Sequence, residues 1–248
     1  MTDFIISFGI WASVLVGSAV LLGLLGLARI RAAWLVFGVL IFAGYFAALM
    51  LGGDYIPVKD YIPDVEWNWA GKIATVLFSL VLVILLAIFS RSARPSAVGF
   101  TLRQAPGSLT PALIVSALLL AASIALEVMA NDGTDTGLER LLYQATMPGL
   151  DEELFFRGVF LAVIAAAVQS GRVSILGAPI GWAGLIVTLL FGLGHGVMYA
   201  EGAVNANWPI VIITGSIGFG LLWIRERTGS ILIPILAHNA INVTLSFF

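Results

Sequence analysis

The chain contains no cysteine and very little charge. Of its 248 residues, 10% are charged and 60% are hydrophobic, whereas soluble domains carry about 25% charged residues. The absence of cysteine excludes disulfides, thiolate nucleophiles and thiolate metal ligands. The scarcity of charge excludes a soluble globular protein, because such a fold needs more polar surface. With a net charge of −2, the chain has no basic surface for nucleic acid, so we expect no nucleic-acid partner.

Eight apolar segments are long enough to cross a lipid bilayer, which takes roughly 20 largely apolar residues per helix. They cover about 4–28, 32–52, 71–90, 109–130, 150–169, 175–200, 206–224 and 229–247. No basic residue precedes the first segment, so we expect a retained helix rather than a cleaved signal peptide. The sequence therefore predicts an all-α integral membrane protein, a bundle of about eight transmembrane helices that forms one domain over residues 1–248.

Basic residues alternate regularly between the connections of these helices. Eight of the twelve fall between helices 1 and 2, 3 and 4, 5 and 6, and 7 and 8: Arg29, Arg31, Arg91, Arg94, Arg103, Arg172, Arg225 and Arg227. The other connections carry mostly Asp and Glu. Because basic connections stay cytoplasmic, both termini are predicted on the outer side. The short chain and simple loops favour a multi-pass protein of a prokaryotic inner membrane.

Two of the outer connections have their own character. Residues 53–70 contain Trp67, Trp69 and two tyrosines, which is typical of an aromatic belt at the membrane interface. Residues 131–149 carry apolar side chains at helical spacing, so the sequence predicts a short amphipathic helix on the membrane surface.

Polar side chains within the predicted spans are confined almost entirely to the C-terminal helices. An ionisable group in hydrocarbon costs a few kcal/mol, so it usually has a function. The candidates include both histidines of the chain and lie in helices 5, 6 and 8: Asp151, Glu152, Glu153, Arg157, His195, His238, Asn239 and Asn242. Their concentration in residues of about 150–248 predicts a catalytic core there.

The spacing of the charged residues in helix 5 gives the two glutamates different environments. Glu153 and Arg157 are four residues apart, so they share a helix face and can form an ion pair. Glu152 lies about 100° around the helix and is left without a cation nearby in sequence. We expect groups from other helices to stabilise its carboxylate.

The two histidines and one asparagine complete the candidate site. His238 and Asn242 are four residues apart and share a helix face. His195 is flanked by glycines, which allow a substrate or another backbone to approach closely. At about 1.5 Å per residue, Glu152 and these three residues converge in the outer half of the bundle. The sequence therefore predicts a polar site built from three helices.

Structural explanations remain for each group taken alone. Glu153 with Arg157 is equally well explained as an ion pair that fixes helix packing, and either histidine as a neutral side chain hydrogen-bonded across helices. For Asn239 a structural polar contact is the preferred interpretation. The joint occurrence of both histidines and the Glu-Glu pair at compatible depths favours a functional site.

Three motifs on successive hydrophobic helices resemble the CPBP intramembrane proteases, which include the type II CAAX prenyl endopeptidases and the Abi-like bacteriocin-immunity proteins. The motifs are Glu152-Glu153-x-x-x-Arg157, Phe191-x-x-x-His195 and His238-x-x-x-Asn242. Their order and spacing together make the resemblance specific.

The resemblance implies hydrolysis of a peptide bond of a membrane-associated protein or peptide substrate. It assigns Glu152 to the activation of water with His195 beside it, His238 and Asn242 to the oxyanion, and Glu153 with Arg157 to a supporting role. Neutral His and Asn donors would stabilise a developing oxyanion by a few kcal/mol.

The requirement for a metal stays open at this point. Glu152, His195 and His238 are candidate ligands for a divalent metal such as zinc, with water as the fourth ligand, although the chain has no H-E-x-x-H motif. The family is labelled a metalloprotease and is also described as a glutamate-dependent protease. The Asn242 side chain is better suited to donate a hydrogen bond to an oxyanion than to bind zinc, which favours the metal-free mechanism.

Two other functions compete with proteolysis. A non-catalytic membrane binding protein, such as an immunity protein of the same fold, would keep its function without Glu152. A proton-coupled transporter would also place Glu and His inside the membrane. Transporters are often built from two related halves, and here helices 1–4 contain no matching polar residues, which counts against a transporter.

Overall fold

The computed structural model describes residues 2–89, 95–130 and 136–247, and within these ranges the fold is all-α. The α-helices are α1 Thr2–Leu24, α2 Ala32–Tyr55, α3 Val58–Tyr61, α4 Trp69–Phe89, α5 Leu109–Ala130, α6 Leu138–Glu152, α7 Leu161–Ala167, α8 Trp182–Gly196, α9 Trp208–Thr228 and α10 Leu232–Leu245. A π-helix, Glu153–Phe160, connects α6 to α7. The predicted fold class is confirmed. Arg91 and Arg94 of the charge analysis lie outside the described residues.

Five stretches are long and apolar enough to cross a membrane, namely Thr2–Leu24, Ala32–Tyr61, Trp69–Phe89, Leu109–Ala130 and Trp208–Thr228. The chain is thus a multi-pass membrane protein. The predicted spans 175–200 and 229–247 are shorter apolar helices, α8 and α10. Helix α8 starts late because Leu176 and Gly177 adopt positive φ in a turn, and the next residues form a strand that ends at Gly181.

Short antiparallel strand pairs, which the sequence analysis did not predict, occupy three connections. They are β1 Arg29–Ile30 with β2 Val168–Gln169, β3 Arg172–Ile175 with β4 Ala178–Gly181, and β5 Val197–Ala200 with β6 Ala203–Ala206. In the last two pairs, a non-glycine residue and a glycine with positive φ form the two-residue turn, the geometry that suits tight hairpins.

The chain divides into two compact units. The first unit combines Met1–Ala43 with Phe160–Trp223, and the second combines Gly44–Val159 with Ile224–Phe248. In the first unit, α1 packs on α8 and β5. The Trp11 indole N–H donates to the Val197 carbonyl at 2.9 Å, and the Tyr199 N–H donates to the Ser7 hydroxyl at 2.8 Å. The one-domain organisation predicted from the sequence stays a prediction.

In the second unit, α6 packs against both α4 and α10, and α10 also packs on α5. Glycines let α2 and α4 approach closely. A Cβ atom on Gly52 would lie 2.7 Å from the Ala70 carbonyl oxygen, and one on Gly71 would collide with the Leu49 carbonyl. This close crossing places the polar side chains of α2 and α4 beside the acidic residues of α6.

The predicted amphipathic helix of the outer connection is present as α6, but it does not end before the next span. Helical structure continues from Leu138 through the π-helix to Ala167. The helix accommodates Pro148, which has no N–H to donate. The next N–H, of Gly149, donates to the Asn239 side-chain oxygen at 2.7 Å. A contact with α10 thus supports the helix just before its acidic residues.

Candidate active site

Three consecutive acidic residues, Asp151, Glu152 and Glu153, lie where α6 passes into the π-helix. Asp151 and Glu153 are fully buried, and the side chain of Glu152 is 14% exposed. π-Helical segments in longer helices are often found at functional sites. Each of the three carboxylates has a different set of partners, because α4, α10 and the π-helix approach this turn from different sides.

The Glu153 carboxylate binds its predicted partner Arg157 and also His238. Its Oε1 lies 2.9 Å from Nη1 of Arg157 and 2.9 Å from Nδ1 of His238. Arg157 is 1% exposed, so this ion pair is fully inside the protein. The i,i+4 contact expected from the sequence is therefore present, although it forms in a π-helix rather than in an α-helix. The structure adds His238 as a third member of the same cluster.

The Glu152 carboxylate lies between a lysine and a histidine of two other helices. Its Oε1 is 2.7 Å from Nζ of Lys72, on α4, and its Oε2 is 4.0 Å from Nε2 of His238, on α10. The expectation that other helices stabilise Glu152 is thus met by residues more than 70 positions away in sequence. Among the three carboxylates, only the Glu152 side chain is partly exposed, although its Oε2 atom is buried.

Hydrogen bonding determines which nitrogen of His238 carries a proton. A carboxylate oxygen only accepts hydrogen bonds, so Nδ1 of His238 donates to Glu153. Nε2 then carries a hydrogen only when the ring is protonated on both nitrogens. The sequence analysis expected a neutral His238 to donate to an oxyanion. That role stays a prediction: with Nδ1 as the donor to Glu153, Nε2 is an acceptor in a neutral ring and a donor in a doubly protonated ring.

Asp151 is buried beside Lys72 but faces a different set of groups. Its Oδ2 accepts hydrogen bonds from Nζ of Lys72 at 2.8 Å and from the Tyr45 hydroxyl at 2.9 Å. The Tyr45 ring stacks on Phe155, with ring centroids 4.1 Å apart. One ammonium group thus serves two neighbouring carboxylates, and Tyr45 fixes the position of the first.

The two asparagines of α10 differ in their contacts. Asn239 accepts the Gly149 N–H and donates to the Thr146 carbonyl at 3.3 Å, so it joins α10 to α6, the structural role preferred from the sequence. Asn242, one turn after His238, is half-buried. Among the described residues, no hydrogen bond of its side chain is formed, which leaves its amide able to bind a ligand.

His195 belongs to the first compact unit, at the end of α8, and its side chain is exposed. Its Nδ1 lies 2.7 Å from the Phe191 carbonyl oxygen, so Nδ1 donates. The rings of Phe191 and His195 are in contact, with centroids 4.6 Å apart. The second motif therefore holds its histidine in one orientation through a bond within the helix.

The glycines around His195 are required by helix α9. A Cβ atom on Gly192 would lie 2.8 Å from the Val211 carbonyl oxygen, and one on Gly196 would lie 2.7 Å from the Asn207 carbonyl oxygen. A Cβ atom on Gly194 would meet nothing within 4 Å. The close backbone approach predicted from the glycines thus occurs at two of the three positions.

These motif residues fall within a segment that matches a known protein family. Residues 135–244 match the model of the type II CAAX prenyl endopeptidase Rce1-like family. The resemblance drawn from the three motifs is confirmed. At the level of the family, this match supports a CAAX-type intramembrane protease, with a peptide or protein substrate and a membrane environment. No curated protein and no solved structure matches the chain.

The Rce1-like segment includes all six residues that the sequence analysis placed in the site, but not Lys72 or Tyr45. Neither Lys72 nor Tyr45 was among the site residues predicted from the sequence. The one available signal for Lys72 was its position within the predicted span 71–90. Its partners, Asp151 and Glu152, are too distant in sequence for any spacing rule to connect them.

The donor set of this site does not fit the zinc ion considered from the sequence. In the described ranges, no group of three or more His, Cys, Asp or Glu side chains is arranged to hold a metal ion. The Lys72 ammonium group already contacts Glu152, and the His238 Nδ1 already donates to Glu153. We therefore derive no step through a metal.

Proposed function

We propose that the protein is an intramembrane endopeptidase that hydrolyses a peptide bond of a membrane-associated protein or peptide, in the manner of CAAX-processing enzymes. The observation that carries this proposal is the 4.0 Å separation of Glu152 Oε2 and His238 Nε2. Two hydrogen bonds of about 2.8 Å that meet at roughly 90° span about 4 Å, so this separation equals that of two atoms bridged by one water molecule. Glu152 is the base that such a water requires.

The proposed reaction uses Glu152 first as a base and then as an acid. The water oxygen attacks the carbonyl carbon of the scissile bond while Glu152 takes one water proton. The carbonyl oxygen becomes an oxyanion. Glu152 then gives the proton to the leaving nitrogen as the C–N bond breaks, which yields a carboxylic acid and an amine. General-base assistance of this kind contributes roughly 10²–10⁴-fold to the rate.

We assign the oxyanion to His238 and Asn242, which share one face of α10. Asn242 supplies a neutral amide donor, and His238 supplies an Nε2–H donor in its doubly protonated form. The Glu153 carboxylate fixes the His238 ring through Nδ1, and Arg157 fixes Glu153. Donors held in place before the reaction stabilise the developing charge without reorganisation. The family resemblance also assigns a role in this reaction to His195, whose ring is oriented by the Phe191 carbonyl.

Cleavage of a membrane-peptide library by purified protein in liposomes tests the proposal. Wild type is compared with Glu152→Gln and with Glu66→Gln, which removes an exposed carboxylate, each with and without a strong zinc chelator. We expect cleavage by wild type and Glu66→Gln, none by Glu152→Gln, and no effect of the chelator. Cleavage by Glu152→Gln at the wild-type rate would overturn the proposal, and loss in chelator would indicate a metal-dependent reaction.

The same assay includes the outcome expected of a non-catalytic binding protein. The ion pair of Glu152 with Lys72 at 2.7 Å is also compatible with a purely structural role for Glu152. A wild-type protein that cleaves nothing, together with a Glu152→Gln variant that still functions in cells, would support that alternative.

We also propose that both termini face the outer side of a prokaryotic inner membrane. The chain has no cysteine, so any introduced cysteine is the only thiol. A cysteine at the β5–β6 turn, Gly202→Cys, is expected to react with an impermeant maleimide added outside intact cells. A cysteine at the β3–β4 turn, Gly177→Cys, is expected to react only after lysis. The reverse pattern would invert the proposed orientation.

A further inference from the structure

A buried lysine outside the Rce1-like segment lies between two acidic residues of the site. Lys72 of α4 is 9% exposed, and its Nζ contacts Glu152 Oε1 at 2.7 Å and Asp151 Oδ2 at 2.8 Å. We propose that Lys72 is a positioning residue for peptide hydrolysis, which holds Glu152 ionised and turns its Oε2 toward His238. This inference rests on the proposed function, since it assigns Lys72 a role in that reaction.

Charge balance explains why the site needs a cation at this position. Charged and titratable groups surround Glu152 from its own helix and from three others: Tyr143, Asp151, Glu153 and Arg157 nearby in sequence, Lys72 on α4, Tyr45 on α2 and His238 on α10. Arg157 and the Nδ1 of His238 are engaged with Glu153. Two further adjacent carboxylates repel each other, and a buried charge is costly without a partner. The Lys72 ammonium group is the partner of both.

The surroundings of Lys72 restrict where its ammonium group can lie. Asp151 Oδ2 binds it from one side, and the Tyr45 hydroxyl fixes that oxygen in turn. The backbone beside Lys72 is fixed as well, because α4 packs against α2 at Gly71 without room for a side chain. A lysine held in this way fixes one oxygen of Glu152 and thereby the direction of the other oxygen toward His238. Asp151 therefore helps Lys72 to position Glu152, the proposed base.

Cleavage kinetics across a pH range test the inference in the full-length protein, in liposomes. The variants are Lys72→Met, Lys72→Arg and, as a matched control, Lys59→Met, which removes the only other lysine, an exposed one. We expect Lys72→Met to lower kcat at least 10-fold with little change in KM. We also expect the acidic limb of its kcat/KM profile to move to higher pH, because an ionised Glu152 loses its counter-charge. Lys72→Arg should restore most of the rate, and Lys59→Met should behave as wild type.

A lysine that serves only folding would give a different result. Lys72→Met would then retain the wild-type pH profile, and any loss would follow the amount of folded protein. That result, or wild-type kcat in Lys72→Met, overturns the inference while the proposed function stands. If Lys72→Met does not fold, the double variant Lys72→Met/Asp151→Asn removes one charge of each sign, and the same loss of kcat and the same shift of the acidic limb are expected.

Nitrogen NMR of the two lysines gives a readout that does not depend on cleavage. Protein labelled with ¹⁵N-lysine is expected to show two side-chain signals, one for each lysine. The signal that is lost in Lys59→Arg belongs to Lys59. We expect Glu152→Gln to shift the Lys72 signal and to leave the Lys59 signal in place. An unchanged Lys72 signal would overturn the contact and hence the inference. If Glu152→Gln shifts the Lys72 signal but the wild-type protein cleaves nothing, the contact is confirmed. The proposed function, and the role of Lys72 in it, are then overturned.

Discussion

Glu152 and Glu153 are adjacent in sequence, but they differ in burial and in the groups that they contact. Glu153 is completely buried and is held by Arg157 and His238. Glu152 remains partly accessible and is held through one oxygen by Lys72. The sequence separated the two correctly, because a four-residue spacing gives Arg157 to Glu153. The cation for Glu152 could not be found in this way, since helix packing and not sequence spacing brings Lys72 to it.

Removal of Arg157 is expected to destabilise the protein strongly. Arg157→Met leaves the Glu153 carboxylate in the interior without its cation, and loss of one partner of a buried ion pair typically costs about 3–5 kcal/mol. Unfolding in mixed detergent, followed by circular dichroism, measures the change. Arg103→Met removes an exposed arginine and serves as the control. Equal stability of the two variants would contradict the structural role of this pair.

The contacts of Glu139, which lies outside the long apolar spans, are expected to weaken in acid. Its carboxylate accepts hydrogen bonds from the backbone N–H groups of Trp67 and Glu66 and from the Trp69 indole, and the bond from Trp67 is the main cause of its lowered pKa. Because the pKa of Glu139 is lowered in the folded protein, its ionised carboxylate stabilises the fold at pH values above the usual pKa of a carboxyl group. This stabilisation is lost as the pH falls through the lowered value.

Tryptophan fluorescence between pH 6 and the acid end of the range measures this loss. We expect a change in wild type as Glu139 becomes protonated and the loop around Trp67 loosens. Glu139→Gln, which carries no titratable group at this position, should lack that change. Identical acid titrations of the two proteins would show that Glu139 does not hold the loop.

At the scale of elements, glycine and proline determine where the helices begin, end and touch. The sequence predicted the helices α1, α2, α4, α5 and α9 to within a few residues, since long apolar runs are a strong signal. It missed the β-hairpins because their strands are only two to four residues long. It also missed the π-helix, whose hydrogen-bond pattern leaves no distinct mark on hydrophobic periodicity.

The contact between α8 and α9 gives a matched pair of substitutions. Gly192→Ala would place its Cβ atom 2.8 Å from the Val211 carbonyl oxygen, so the helices must separate, whereas Gly194→Ala meets nothing within 4 Å. Overpacking costs about 1–3 kcal/mol. We therefore expect a lower Tm for Gly192→Ala and a Tm within about 2 °C of wild type for Gly194→Ala. A lower Tm for Gly194→Ala alone would contradict the geometry of this crossing.

At the scale of the whole molecule, the proposed function depends on both halves of the sequence. The motifs lie in the Rce1-like C-terminal segment, and their order was enough to indicate a family before any contact was known. The family match, over residues 135–244, does not include the N-terminal half. Nevertheless, Lys72 and Tyr45 from that half contact the acidic residues next to the first motif. Such contacts arise from tertiary packing, so a single sequence does not reveal them.

If Glu152 activates the water molecule that hydrolyses the peptide bond, an oxygen atom of water must enter the product. Mass spectrometry of a cleaved transmembrane peptide, after incubation in ¹⁸O-water with wild type or Glu152→Gln, measures this directly. We expect one ¹⁸O atom in the new C-terminal carboxylate with wild type, and a product yield at least 100-fold lower with Glu152→Gln. Equal yields of labelled product from the two proteins would contradict this role of Glu152.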